Sequence, residues 1–102
     1  MPQNFTSDLA QEIAAWQAYL FQQKKYSKHT VSAYHSDLKI IINFFTLYFA
    51  QAISLTKLSS ISLNDFRAFL AFRARENISA NSRSREISAL KSFLIYIARD
   101  QA

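Results

Sequence analysis

Apolar residues recur along this chain at steps of three and four, the spacing of one helix face, in stretches separated by short polar breaks. The first stretch carries Leu9, Ile13, Trp16 and Leu20, and it predicts a helix that follows the cap candidate Ser7 and runs to about Lys24. The second carries Val31, Tyr34, Leu38, Ile41, Phe45 and Tyr48, and it predicts a helix that follows Ser27 and runs to about Phe49. Then "AQAISLTKLSSI" breaks the period and reads as one long connection. Ser62 reopens a helix, with Asp65 three positions later as a variant of the capping box. That helix carries Leu63, Phe66, Phe69 and Leu70 and frays near Asn77. After the turn "NISANS", Ser82 or Asn81 caps a last helix whose core line is Ile87, Leu90, Leu94 and Ile97.

Composition supports an all-α reading. Half of the residues are hydrophobic, Gly is absent and the single Pro is Pro2. Tight hairpins need Gly or Asn at positive φ, so a Gly-free chain leans to helices. The expected fold class is all-α, a compact bundle of four helices or five. At 102 residues the chain is one domain, 1–102, large enough to bury a modest core without disulfides, and it has no Cys to make them. The longest apolar run, near Ile40 to Ala50, is interrupted by Asn43 and Thr46 and is too short to span a bilayer. The start "MPQNFTSDLAQ" lacks the basic and apolar regions of a signal peptide, so the expected location is cytoplasmic, with no membrane partner.

Charge adds a direction. A net charge of +5 on so small a domain favours polyanionic partners, nucleic acid first. At about 100° per residue, the second helix sets Lys28, Ser32, His35, Ser36, Lys39 and Asn43 on one side and Asp37 on the other half. The last helix sets Asn81, Ser84, Arg85, Ser88, Lys91 and Ser92 together, while Glu86 points well away. Cations with hydroxyls and helix N-terminal amides are what a phosphate backbone binds. Arg85 could also reach guanine edges if its helix enters a major groove. Thr30 and Ser82 join the candidate DNA-binding set, Thr30 also reading as local helix-start structure. Arg83 lies off the shared face and reads as a partner for Glu86 or for a neighbouring helix. The bland alternative is a solvated face rich in Ser.

Candidate chemistry is otherwise sparse. His29 and His35 are six residues apart, not at the spacing that puts two ligands on one helical face. No Gly-rich phosphate loop or nucleophilic cluster is present, so no metal, cofactor or catalytic residue is expected. Tyr19, Tyr34, Tyr48 and Tyr96 read as core or core-edge packing, and Tyr26 as a turn residue.

Two motifs carry a family resemblance. "YSKHTVSAYHSDLKIIINFF", Tyr26 to Phe45, resembles the second helix of the core-binding domain of tyrosine recombinases and phage integrases. The run from Ile61 to Asp100 is similar to the rest of that domain, with an "SRxxSALRxFxxY" pattern standing here as Ser84-Arg85, Ser88-Ala89-Leu90-Lys91, Phe93 and Tyr96. Xer-type recombinases look most alike. The resemblance implies a SAM-like core-binding domain whose second and fourth helices lie across the major groove of a recombination half-site. It implies double-stranded DNA, a separate C-terminal catalytic domain and other recombinase protomers as partners, with this piece non-catalytic. Lys91 stands where the family commonly has Arg, which keeps a phosphate contact but loses the bidentate fork. A helical protein-interaction module, docking a partner through its Phe-rich segments, is the alternative from a different class. A helix-turn-helix regulator is a third reading: the long connection before Ser62 argues against it, while the turn near Ala80 leaves it open.

Overall fold

The computed structural model describes residues 5–100. Its helices are α1 (Ser7–Gln22), α2 (Lys28–Phe49), α3 (Leu55–Ser59), α4 (Leu63–Arg75) and α5 (Ala80–Asp100). The only extended pairing among the described residues is an isolated parallel bridge between Phe5 and Ile53, where the Thr6 amide donates to the Ile53 carbonyl at 3.0 Å. The described residues therefore form an all-α bundle of five helices.

Serine hydroxyls start most of the helices. Ser27, Ser54, Ser62 and Ser79 each accept from the backbone amide three residues on, at 3.0–3.1 Å. Each satisfies an amide that the first helical turn leaves without a partner. At Ser62 the bond is reciprocal: the Asp65 carboxylate accepts from the Ser62 amide at 2.9 Å and completes the expected capping box. Helix ends are closed without glycine. Lys25, Ala50 and Asn77 take left-handed backbones at φ 60°, 57° and 59°. For a residue with a Cβ this conformation costs about 1–2 kcal/mol, so the turns hold because their neighbours pack well.

The core is built by α1, α2 and α5, with α4 closing one side. Trp16 is fully buried at its centre, 6.3 Å from the Tyr34 ring and 5.4 Å edge-on from Phe93. Its indole N–H donates to Ser92 Oγ at 3.1 Å, which satisfies the one polar atom of the ring. A second aromatic group of Phe44, Phe45, Phe69 and Phe72 binds α2 to α4.

Several local expectations are corrected. The first helix is capped by Thr6, not Ser7; the Thr6 hydroxyl donates to the Asp8 carboxylate and makes no capping bond. The long connection is not unstructured: it holds α3, whose Leu58 is buried, and Lys57 lies 3.9 Å over the Phe49 ring. The last helix starts one turn early, because Ser79 rather than Ser82 or Asn81 supplies the capping oxygen. Leu63 and Leu70 are exposed, so of the four expected positions Phe66 and Phe69 carry α4 into the core. Tyr48 stands half in solvent, stacked on Phe44 at 5.4 Å.

Candidate nucleic-acid interface

The start of α5 is anchored by two acids that neighbour its polar face. Glu86 is buried and receives two bonds from Arg73 of α4, Nε to Oε1 at 3.0 Å and Nη2 to Oε2 at 2.6 Å. Asp37 of α2 is buried and receives two from Arg85, Nε to Oδ2 at 2.9 Å and Nη2 to Oδ1 at 3.3 Å. The hydrogen bond and charge of Asp37 push the Arg85 guanidinium above its ordinary value. On its own helix each acid lies off the polar stripe and is buried against an arginine of another helix, but Asp37 reaches the α5 face there, because its partner Arg85 belongs to that face. The expected pairing of Arg83 with Glu86 is not made, because Arg73 occupies that carboxylate. Among the described residues Arg83 has no ion-pair partner, whereas Arg85 has one.

The other expected residues of α5 divide by exposure. Asn81, Ser84, Arg85, Ser88 and Lys91 are exposed on the outside of the helix. Ser82 and Ser92 are half-buried and engaged: Ser82 bonds the Ser79 cap through its amide and hydroxyl, and Ser92 accepts from Trp16. Because Ser92 Oγ is used there as an acceptor, its own O–H remains a donor.

On α2, Lys28, Ser32 and Lys39 are exposed and His35 is half-buried. Lys28, Ser32 and His35 line a shallow cleft of about 280 Å³ with Gln17 and Phe21 of α1. Burial, helped by the nearby Lys39 charge, holds His35 below its ordinary value, so at neutral pH it offers a neutral ring rather than a cation. Thr30 is exposed but local: its amide and hydroxyl both meet Ser27 Oγ.

The two polar faces do not meet in one described cleft. Ser84, Ser88, Lys91 and Arg83 line a hollow of about 500 Å³ against Leu70 of α4. Ser88, Lys91 and Ser92 also line one of about 310 Å³ with Tyr19, Lys24, Tyr26, Tyr96 and Arg99, across the corner between α1 and α2. The α2 face opens toward α1 instead, and what joins α2 to the α5 face is the Asp37–Arg85 pair. Sequence reasoning missed Lys24, Arg83 and Arg99 as members of this surface. Arg99 had a signal: it lies eleven residues after Ser88, three helical turns on and about 20° off the same stripe. Lys24 had none, because its place depends on how the α1–α2 corner folds back.

Among the described residues no group of His, Cys, Asp or Glu is arranged to hold a metal ion, and no helix is long and apolar enough to cross a membrane.

Comparison with known proteins agrees with the geometry. The family described as phage integrase, N-terminal SAM-like domain, matches residues 13–101. The tyrosine recombinase XerC of Rickettsia prowazekii (strain Madrid E) is 36% identical over 87 residues, which is 85% of this chain and 28% of that protein. XerC of Rickettsia rickettsii (strain Sheila Smith) is 34% identical over the same shares, and that of Rickettsia typhi (strain ATCC VR-144 / Wilmington) 33%. The chain thus spans 28% of the length of these relatives. No solved structure matches it. A match over most of the chain, on a five-helix bundle bearing both recombinase-like motifs, means that this chain belongs to the phage integrase N-terminal SAM-like domain family.

Proposed function

We propose that this domain binds duplex DNA as the N-terminal half of a clamp in a tyrosine recombinase, at a recombination half-site. The parent protein would break and rejoin DNA strands through a separate catalytic domain, in the cytoplasm and with other protomers. The observation that carries the reading is the outer side of α5. It presents Ser84, Arg85, Ser88 and Lys91 to solvent, while its neighbouring acids Asp37 and Glu86 are buried on arginines. An anionic backbone approaching that side meets cations and hydroxyls without a facing carboxylate.

The test is a titration of duplex DNA at several salt concentrations with wild type and Lys91→Ala. Lys91 is exposed and has no ion-pair partner among the described residues, so the variant folds as the parent does. Removing one phosphate-binding cation lowers the slope of log affinity against log salt by about 0.9. An unchanged slope and affinity would remove α5 from the interface. A protein-interaction module is the second reading, favoured by an open apolar hollow of about 440 Å³ lined by Ile40, Phe44, Leu47, Tyr48 and Phe72. Self-association by light scattering, without a gel shift on DNA, is what that reading expects.

A further inference from the structure

The cleft between the α1–α2 corner and α5 gathers cations from three separate places. Lys24 comes from the turn that follows α1, Lys91 from the middle of α5 and Arg99 from its last turn. None of the three pairs with a carboxylate among the described residues. This sets the cleft apart from Arg73 and Arg85, each of which closes on a buried acid. Like charges drawn into one hollow repel one another unless an anion neutralises them.

The corner is also rigidly built. The Tyr19 carbonyl accepts from the Gln23 and Lys24 amides at 2.8 and 3.2 Å, and Tyr26 returns its amide to the Leu20 carbonyl at 3.0 Å. Left-handed Lys25 makes that reversal, and the Tyr26 ring then packs edge-on against Tyr34 at 5.8 Å. On the far wall the Tyr19 and Tyr96 rings lie 5.0 Å apart, and Arg99 Nη1 donates to the Tyr19 hydroxyl at 3.4 Å. Ser88 and Ser92 also line the cleft, and the Ser92 hydroxyl, an acceptor toward Trp16, keeps its own O–H as a donor.

We propose that this cleft seats a phosphodiester of the duplex backbone, held by Lys24, Lys91 and Arg99 with the serine hydroxyls beside them. The proposal rests on the reading that the domain binds duplex DNA, and it deepens it. The contact surface of α5 extends across the α1–α2 corner, to Lys24 before the first recombinase-like motif and to Arg99 beyond the last position of the Ser-Arg pattern. It assigns to Lys24 and Arg99 a positioning grip on the backbone that carries no sequence information.

The experiment compares two double variants with equal charge loss. Lys24→Gln/Arg99→Gln empties the cleft of two cations, while Arg67→Gln/Arg75→Gln removes two exposed ones from α4. Each chain, checked for an unchanged thermal melt, is titrated by fluorescence anisotropy with a duplex of arbitrary sequence at several salt concentrations. The cleft variant is expected to lose about 0.9 from the salt slope, the share of the one phosphate it seats, and at least about tenfold in affinity at low salt. The α4 variant is expected to lose less than half of that slope. Equal losses in the two variants would reduce the cleft to general charge and overturn the proposal. An unaltered cleft variant, with Lys91→Ala still weakened, would overturn the cleft and leave the DNA-binding reading standing. Failure of the wild-type chain to bind any duplex would overturn both.

Discussion

Arg73 and Arg85 each close on a carboxylate buried beside the start of α5, but their own surroundings differ. The Arg73 side chain is 14% exposed and its Glu86 partner 2%. The Arg85 side chain is 55% exposed over an Asp37 that is also at 2%. In the first pair both charges have left water, and the guanidinium is consumed in fastening α4 to α5. In the second only the acid is buried. Arg85 spends its Nε and one Nη2 hydrogen on Asp37 and turns the rest of its fork toward solvent, where a phosphate oxygen can accept. The same pair chemistry thus gives a brace in one place and a presented cation in the other, and exposure of the arginine decides which.

The largest effect is expected from breaking the covered pair. Glu86→Ala strands a nearly buried guanidinium and should cost about 3–5 kcal/mol in urea unfolding. That is a large part of the stability of a domain this size. A loss under about 1 kcal/mol would mean that Arg73 finds water and that the two pairs are alike. The half-open pair should respond asymmetrically. Arg85→Ala leaves Asp37 buried without a partner, whereas Asp37→Ala leaves an arginine that can turn fully into water. The urea midpoint should therefore fall further for Arg85→Ala than for Asp37→Ala, and the reverse order would contradict the exposures. The smallest stability change is expected when both partners go. Arg73→Met/Glu86→Leu and Asp37→Leu/Arg85→Met should each unfold close to wild type, since an apolar pair of similar volume often replaces an ion pair at little cost. Duplex titration then separates them. Affinity should hold in the Arg73/Glu86 double and fall about tenfold at low salt in the Asp37/Arg85 double, which no longer presents a cation to the backbone. Equal affinities would make both pairs mere braces.

Arg83 and Arg85 show how far the sequence could be read at this site. The helical wheel places Arg85 on the polar stripe and Arg83 off it, and the structure agrees that Arg85 is exposed. The wheel cannot see that Asp37, forty-eight positions earlier, lies under Arg85, or that Arg73 reaches Glu86 first. Pairing depends on which helix packs beside which, and no local pattern carries that. Ser79 and Ser82 make the same point at shorter range. Both are cap residues three apart, and the left-handed turn at Asn77, with the Ile78 amide on the Arg73 carbonyl at 3.1 Å, selects the earlier one.

What the sequence determined by itself was local or periodic. The absence of Gly and the three-and-four spacing made the chain helical, and Ser27, Ser62 and Asp65 set their helix starts through bonds spanning three residues. The two recombinase-like motifs pointed to the family for the same reason, since each is written within one or two helices. Only the tertiary structure decided the rest. It folded α3 into the connection over buried Leu58, left Leu63 and Leu70 outside, and split the two polar faces between different clefts. It also brought Lys24 and Arg99, far apart in sequence, to one hollow. Burial and charge proximity are sums over residues distant in sequence, so they exist only once the helices have packed.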